Sequence, residues 1–443
     1  MVSKILKLKV NEREILNSNR IIPYEMLYEA VVTAEELTAL GVPENELLIL
    51  KSFLRNIKPA LKRTIVKAQK GFPVIAHHFA YPGEIFNAFD VADVVVETVP
   101  YTLSALVPAG PEKYYDIAGS FGHPHHSCSS QKGTIGMYID DLYEFDALAT
   151  PTAPCDNTFA NFPLMQHLKD DNVPLITPDM PIYRDERAYK YFADELMTSI
   201  YQIGEAFGQE PDFKKLATAM EYTNRDLELI AEINELKKVK PNPIESMYCP
   251  LLTGIAAFAP GTPEKTQFFS DVLEVGKDRV KHGERAAGGE EKIRVMWPYM
   301  ALFFDIGFCE WFDREMGMTM LHDIFTYPFY DKIETNKDPE TLVEGIARQA
   351  MNYPMVRQSS TQMDFLIDDF VYLSKEYEAD CAIFTVHLAC KQVVSAVQIL
   401  REALRDELGI PMLSIDVDAG DGRVTSIETI KSKITNFVET LLI

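Results

Sequence analysis

The residues 145–158, FDALATPTAPCDNT, decide the fold class of this chain. The first six of them, Phe145 to Thr150, form a short apolar run that is typical of a buried strand. Pro151 and Pro154 mark a turn after this run, and a helical pattern begins just beyond Cys155. A buried strand followed by a turn and a helix is the repeating unit of a parallel sheet that helices cover on both faces.

The same pattern recurs on both sides of this stretch. Short apolar runs, several of them rich in β-branched residues, alternate with segments in which apolar residues recur at helical spacing. We therefore predict an α/β fold with two doubly wound parallel-sheet domains and a ligand site in the cleft between them. The predicted strands are Phe72–Ala76, Ala92–Val99, Phe145–Thr150, Val173–Thr177, Ile293–Trp297, Ala382–Val386 and Met412–Ile415.

Helical segments precede and join the two predicted domains. Two long amphipathic helices, Arg187–Phe207 and Asp212–Lys240, are predicted between the domains. The predicted organisation is a helical N-terminal segment (1–65), a first α/β domain (66–185), a helical connection (186–285) and a second α/β domain (286–443).

Within the second domain the pattern predicts only helices between Trp297 and Ala382. One continuous helix is predicted over Lys391–Glu407, and a last helix over Ser426–Leu442. Both helices follow a predicted strand, which is the order expected of a parallel sheet.

Charge and hydropathy exclude several classes of partner. The chain of 443 residues carries 43 basic and 66 acidic side chains, a net charge of −23, and so lacks the basic surface that nucleic acids require. Met1 to Arg13 has no apolar core of the kind found in signal peptides. No apolar run approaches the ~20 residues that span a bilayer. We expect a cytoplasmic protein that binds neither nucleic acid nor a membrane.

The six cysteines fall into two groups. Three of them, Cys128, Cys155 and Cys390, stand at the start of a predicted helix, and two of these directly follow a strand. A helix N-terminus offers free amide donors and favours thiolate over thiol, so it suits the ligands of an iron–sulfur cluster. The other three lie in apolar surroundings and are assigned to packing: Cys249, Cys309 and Cys381.

Spacing alone does not establish a metal site. The chain has no Cys-x-x-Cys pair, and six cysteines in a chain of this length do not form a disulfide framework. Three thiolates would leave one iron of a four-iron cluster without a cysteine ligand, which is what substrate binding to iron requires. By local pattern, however, buried thiols that only pack are the commoner interpretation.

Four segments resemble one known family. They are Tyr81–Ala88, Cys128-Ser129, Pro154–Asp156 and His387–Lys391, and the residues after the last of them fit the same C-terminal pattern. Their order and spacing, from about Gly71 to the C-terminus, resemble the subunits of (R)-2-hydroxyacyl-CoA dehydratases and ATP-dependent benzoyl-CoA reductases.

This resemblance implies a cofactor, partners and a reaction. Family subunits have two flavodoxin-like domains and hold a [4Fe–4S] cluster through three cysteines, here Cys128, Cys155 and Cys390. A homologous second subunit pairs with them, and a separate ATP-hydrolysing activator protein donates one electron. In the dehydratases the acyl-CoA substrate becomes a ketyl radical and loses water. The present chain has no Walker-type phosphate loop, which agrees with an external activator.

Side chains near the cysteines are candidates for further roles, one of them by its position in the family. Glu84 is a candidate general acid or base by its family position, and equally a carboxylate that favours the first turn of a helix. His126 is a candidate acid for the leaving hydroxyl group, although a polar loop explains it as well. Ser127 and Ser129 are candidates for hydrogen bonds to cluster sulfides.

Several alternatives remain open at the level of sequence. A zinc ion bound by Cys128 with His123, His125 or His126 would use the same loop, because zinc accepts both types of ligand. The leading prediction is a hydro-lyase subunit. Its alternatives are a benzoyl-CoA reductase subunit, a reductase with a double-cubane [8Fe–9S] cluster, a subunit that only relays electrons, and a metal-free α/β protein.

Overall fold

Two parallel sheets form the centre of the molecule. The computed structural model describes residues 16–169, 172–360 and 363–441. The first sheet has the strand order β2-β1-β3-β4 and the second the order β6-β5-β7-β8, with every pair parallel. The strands are β1 (Val74–His77), β2 (Ala92–Val95), β3 (Ala147–Ala149), β4 (Leu175–Ile176), β5 (Ile293–Met296), β6 (Met318–Met320), β7 (Cys381–His387) and β8 (Met412–Val417).

Helices cover and connect these sheets. Gly83–Ala88 is a 3₁₀ helix and Trp311–Glu315 is a π-helical turn. The α-helices are α1 (Ile22–Gly41), α2 (Leu48–Gln69), α3 (Thr98–Leu106), α4 (Glu112–Phe121), α5 (Ser129–Ile139), α6 (Asp156–His167), α7 (Glu186–Phe207), α8 (Phe213–Leu236), α9 (Tyr248–Phe258), α10 (Pro263–His282), α11 (Gly307–Glu310), α12 (Pro339–Met351), α13 (Val356–Ser359), α14 (Asp364–Glu376), α15 (Lys391–Val394), α16 (Val397–Leu408) and α17 (Ile427–Leu441).

The predicted α/β fold with two doubly wound parallel sheets is confirmed. In each sheet the chain runs outward on one side of the first strand and then crosses to the other side, so a crevice opens between β1 and β3 and between β5 and β7. The central strands are buried on both faces, as β1 and β7 illustrate with every residue buried. This burial explains why their sequences are continuous apolar runs without alternation.

Two details of the second domain differ from prediction. Strand β6 lies where only helices were predicted, because a strand of three residues is too short to produce a period in the sequence. The predicted helix over Lys391–Glu407 is interrupted after Val394, where the Ser395 hydroxyl donates a hydrogen bond to the carbonyl oxygen of Gln392. Such a bond lets the backbone leave the helical path.

The helical connection packs against both halves. Helix α7 packs on α12 of the second half, and α8 packs on α10 and on the 3₁₀ helix of the first half. Helix α10 also packs on α2. The carboxylates of Asp185 and Asp212 accept hydrogen bonds from the first backbone amides of α7 and α8, which fixes where these helices begin. The predicted domain boundaries stay a prediction. The part of the N-terminal segment before residue 16 lies outside the described residues.

Among the described helices, none combines the length and the apolar character needed to cross a membrane.

Helix α5 sits unusually close to its neighbours. A Cβ atom on Gly136 would lie 1.9 Å from the carbonyl oxygen of Tyr114 in α4, and one on Gly133 would lie 2.6 Å from the ring of Pro100 in α3. These two glycines therefore allow the close contact of α5 with α3 and α4. That contact sets the position of the residue that precedes α5, Cys128.

We expect Gly136→Ala to destabilise the protein by about 1–3 kcal/mol, because the added methyl group forces α4 and α5 apart. Equilibrium unfolding in urea measures this change. Gly41→Ala is the matched control, since a Cβ at the end of α1 meets no atom within 4 Å. Equal stability of the two variants would mean that α5 tolerates displacement.

Candidate functional site

Three cysteines line one cavity. Cys128, Cys155 and Cys390 face a space of ≈ 200 Å³ that residues from both halves of the chain enclose. Each of the three is the residue directly before a helix, namely α5, α6 and α15. The structure thus brings the three predicted ligands together, and backbone amides of the helix start lie beside the sulfurs of Cys128 and Cys155.

The sheet topology explains why they meet. Cys155 follows β3 and Cys390 follows β7, the strands that border the two crevices. The neighbouring strands β1 and β5 lead to Glu84 and Tyr299, which line the same cavity. The cavity therefore opens at the carboxyl ends of both sheets, where open α/β sheets bind ligands.

The thiols of the cavity interact with one another. Burial raises the pKa of Cys128, and the nearby thiol of Cys155 and carboxylate of Asp418 raise it further. Burial also raises the pKa of Cys390 to about 12, with Cys155 as the next cause. The Tyr299 hydroxyl donates a hydrogen bond to the sulfur of Cys390. Three such thiols stay deprotonated together only where a cation binds them, so a metal centre would displace their protons.

The set does not suit a single metal ion. In the described ranges of the chain, no three His, Cys, Asp or Glu side chains converge on one point at which an ion would bind. The zinc alternative therefore gains no support, and His125 and His126 are exposed to solvent. A cluster distributes its cysteines over several irons, so its ligands do not need to converge on one point.

The two serines beside Cys128 have different surroundings. The Ser127 hydroxyl is buried and lacks a hydrogen-bond partner in the structure. The Ser129 hydroxyl donates a hydrogen bond to the carboxylate of Asp418. The Ser129 backbone amide donates a second hydrogen bond, of 3.0 Å, to the same carboxylate. Neither serine lines the cavity, and the role predicted for the two hydroxyls stays a prediction.

Asp418 is a positioning residue that the sequence interpretation missed. It follows β8 in an acidic turn, it is buried, and its carboxylate caps α5 of the other half. Gly420 in this turn approaches so closely that a Cβ there would lie 2.6 Å from the ring of Tyr101. An aspartate directly after a strand, with a glycine two residues later, was the available signal.

Glu84 lies in the cavity within a second polar group. It belongs to the 3₁₀ helix and accepts a hydrogen bond of 2.9 Å from the Thr223 hydroxyl of α8. The Lys265 ammonium lies 3.6 Å from the Glu84 carboxylate and 3.2 Å from the Asp226 carboxylate. Lys265 and Asp226 are both buried. Asp226 and Lys265 were not predicted, because they stand on helices far from every motif.

Glu97 forms a third buried polar group, also unpredicted. Its carboxylate accepts hydrogen bonds from the Phe79 amide at 2.9 Å, from Gln131 at 2.6 Å and from the Thr158 hydroxyl. Burial raises the pKa of Glu97, and the hydrogen bonds oppose this rise. Thr158 also hydrogen-bonds to Cys155, so Glu97 and Cys155 share one polar partner.

The histidines before Cys128 stay outside the cavity. His123 makes a ring-nitrogen contact of 3.0 Å with the Asn161 side-chain oxygen, and His126 is exposed and does not line the cavity. The role of His126 as an acid stays a prediction. The three cysteines assigned to packing lie in the hydrophobic core and do not line the cavity: Cys249, Cys309 and Cys381.

Comparisons with known proteins agree with these motifs. A family model described as the D-component of 2-hydroxyglutaryl-CoA dehydratase matches residues 78–441. The chain is 22% identical over 389 residues to the alpha subunit of (R)-2-hydroxyisocaproyl-CoA dehydratase from Clostridioides difficile, which covers 84% of this chain and 91% of that protein.

Two further relatives match over a shorter range. The chain is 24% identical over 283 residues to lactoyl-CoA dehydratase subunit alpha from Anaerotignum propionicum, with 60% of this chain and 63% of that protein covered. It is 21% identical over 280 residues to (R)-2-hydroxyglutaryl-CoA dehydratase subunit alpha from Acidaminococcus fermentans, with 61% and 55% covered. By their names, all three relatives are hydro-lyases that work with another subunit.

The family model covers most of the chain and includes Cys128, Cys155, Cys390 and Glu84. The chain therefore belongs to the 2-hydroxyglutaryl-CoA dehydratase D-component family, which confirms the resemblance inferred from its motifs.

Proposed function

We propose that this chain is the cluster-bearing subunit of an (R)-2-hydroxyacyl-CoA dehydratase. The observation that carries the proposal is the cavity in which three helix-start cysteines and Glu84 meet. The dehydratase relatives favour dehydration over reduction of an aromatic ring. The double-cubane alternative needs more cysteine ligands, whereas the remaining three are in the core.

The residues of the cavity fit a [4Fe–4S] cluster. Cys128, Cys155 and Cys390 would hold it, and the three helix starts would stabilise its negative charge. The buried Ser127 hydroxyl has no other partner and would donate a hydrogen bond to a sulfide. When bound, such a cluster supplies a path for one electron and an open iron that acts as a Lewis acid.

Side chains of this chain would transfer the proton and exclude bulk water. Glu84 would accept or deliver a proton, since it lies in the cavity and Thr223 and Lys265 hold its carboxylate in place. Aromatic and aliphatic walls, among them Phe303, Phe325 and Met300, keep bulk water away from the reacting atoms.

Two partners belong to the proposal. A homologous second subunit would pair with this chain, because the relatives are named as alpha subunits. An ATP-hydrolysing activator protein would donate the electron, since the sequence contains no Walker-type phosphate loop of its own.

Replacement of a ligand cysteine tests the cofactor. After strictly anaerobic purification we expect about four irons per chain in the wild type. Cys128→Ala, Cys155→Ala and Cys390→Ala should each lose most of the iron and the visible absorption, because two thiolates do not retain a cluster. Iron and sulfide analysis measures this loss.

The matched control is Cys309→Ala, which removes a core thiol away from the cavity and should retain the iron of the wild type. A wild type free of iron, or ligand variants with as much iron as Cys309→Ala, would contradict the cluster.

Replacement of Glu84 tests the proton-transfer role. Glu84→Gln should lower kcat for a 2-hydroxyacyl-CoA by roughly 10²–10⁴-fold, because the amide cannot exchange a proton. Its iron content should stay that of the wild type, since Glu84 is not a cluster ligand. Glu228→Gln is the control, as Glu228 pairs with Arg225 and Lys332 at the surface.

An unchanged kcat in Glu84→Gln would remove Glu84 from the mechanism. A His126→Gln variant in the same assay tests the prediction made for that exposed histidine.

A further inference from the structure

The cavity has a large apolar wall that the cysteines do not explain. Leu227 and Ile230 of α8, Leu252 of α9, Phe269 of α10 and Ile346 of α12 line it. All of these belong to helices outside the two sheets, and four of the five are buried in the core, while Ile230 packs against it. This wall matches an apolar chain in shape and chemistry, since transfer of apolar surface from water is favourable.

The charged groups of the cavity are unbalanced. Lys265 is the single lysine or arginine among the described residues that line it, against the carboxylates of Glu84, Glu97 and Asp226. Burial lowers the pKa of His77, so this histidine contributes no positive charge at neutral pH. A ligand in this cavity therefore meets more negative than positive side-chain charge.

The positive charge of Lys265 is already neutralised. Its ammonium lies between the two carboxylates, 3.6 Å from Glu84 and 3.2 Å from Asp226. Helix packing holds this arrangement, because α10 carries Lys265, α8 carries Asp226, and α8 also contacts the 3₁₀ helix of Glu84. Asp226 Oδ2 faces this ammonium, and Asp226 Oδ1 accepts a hydrogen bond of 2.6 Å from the Thr266 hydroxyl, so the group carries no net positive charge that would attract an anion.

We propose that the group Glu84–Lys265–Asp226 determines substrate specificity, and that the cavity selects 2-hydroxyacyl-CoA thioesters whose acyl chain is apolar and uncharged. This inference rests on the proposed function and narrows its substrate class. A carboxylate at the end of the acyl chain would lose its hydration, find no free cation and lie beside like charges. An aliphatic or aromatic acyl chain carries no charge, so these unfavourable contributions to binding do not arise.

Binding of two unreactive thioesters tests the inference. 4-Methylpentanoyl-CoA and glutaryl-CoA lack the 2-hydroxyl group, so neither is turned over, and they differ in the end of the acyl chain. The protein is purified anaerobically together with any subunit that copurifies, and titration calorimetry measures both affinities. We expect 4-methylpentanoyl-CoA to bind at least about 100-fold more tightly, because like-charge juxtaposition in a desolvated site is costly.

A charge-neutral variant makes the test specific. Asp226→Asn keeps the shape of the side chain and releases the positive charge of Lys265, so glutaryl-CoA should bind roughly 10-fold more tightly than to the wild type. The ratio of the two affinities should fall by about the same factor. Asp278→Asn is the matched control, since Asp278 lies on the exposed side of the helix that carries Lys265.

The possible outcomes distinguish the specificity inference from the proposed dehydratase function. Equal affinity for both thioesters in the wild type would overturn the specificity inference and leave the dehydratase proposal standing. An unchanged affinity ratio in Asp226→Asn would likewise overturn it. If Asp226→Asn does not fold, Glu84→Gln is measured with the same two thioesters and decides in the same way. Failure of the wild type to bind either thioester would overturn the proposed function together with the inference.

Discussion

The hydrogen bonds between Asp418 and the start of helix α5 hold the site together. This carboxylate accepts from the Ser129 amide and hydroxyl, and also from the amides of Gly420 and Asp421 in its own turn. Burial of a carboxylate is costly unless donors surround it, and here four donors and the positive end of a helix do so. Because Cys128 directly precedes α5 and Asp418 directly follows β8, this side chain links the two halves of the cavity next to a cysteine.

Much of this architecture follows from local sequence patterns. A strand buried on both faces must be apolar throughout, so β1, β3, β5 and β7 were visible as short runs between helices. The positions of Cys155 and Cys390 followed from the same pattern, since residues after a buried strand reach the carboxyl edge of a sheet. That edge is shared by all strands of a parallel sheet, which is why distant segments such as those of Cys155 and Cys390 meet.

Other parts depend on contacts that local patterns do not encode. Asp226 and Lys265 look like ordinary polar positions of amphipathic helices, and only the packing of α8 on α10 buries them in a pair. Glu97 follows β2 in the same way as many loop carboxylates, and its importance arises from donors on α5 and α6. His126 shows the opposite case, because nearness in sequence to Cys128 does not bring its side chain into the cavity.

The division of the cysteines between the two halves has a consequence for biosynthesis. Cys128 and Cys155 leave the ribosome long before Cys390, and more than half of the chain separates Cys128 from Cys390. Any group that takes all three as ligands closes a very long loop, and the entropy of that closure is compensated only after both sheets have formed. Insertion of the proposed cluster would thereby be coupled to completion of the C-terminal half, and a truncated or half-folded chain would not hold it.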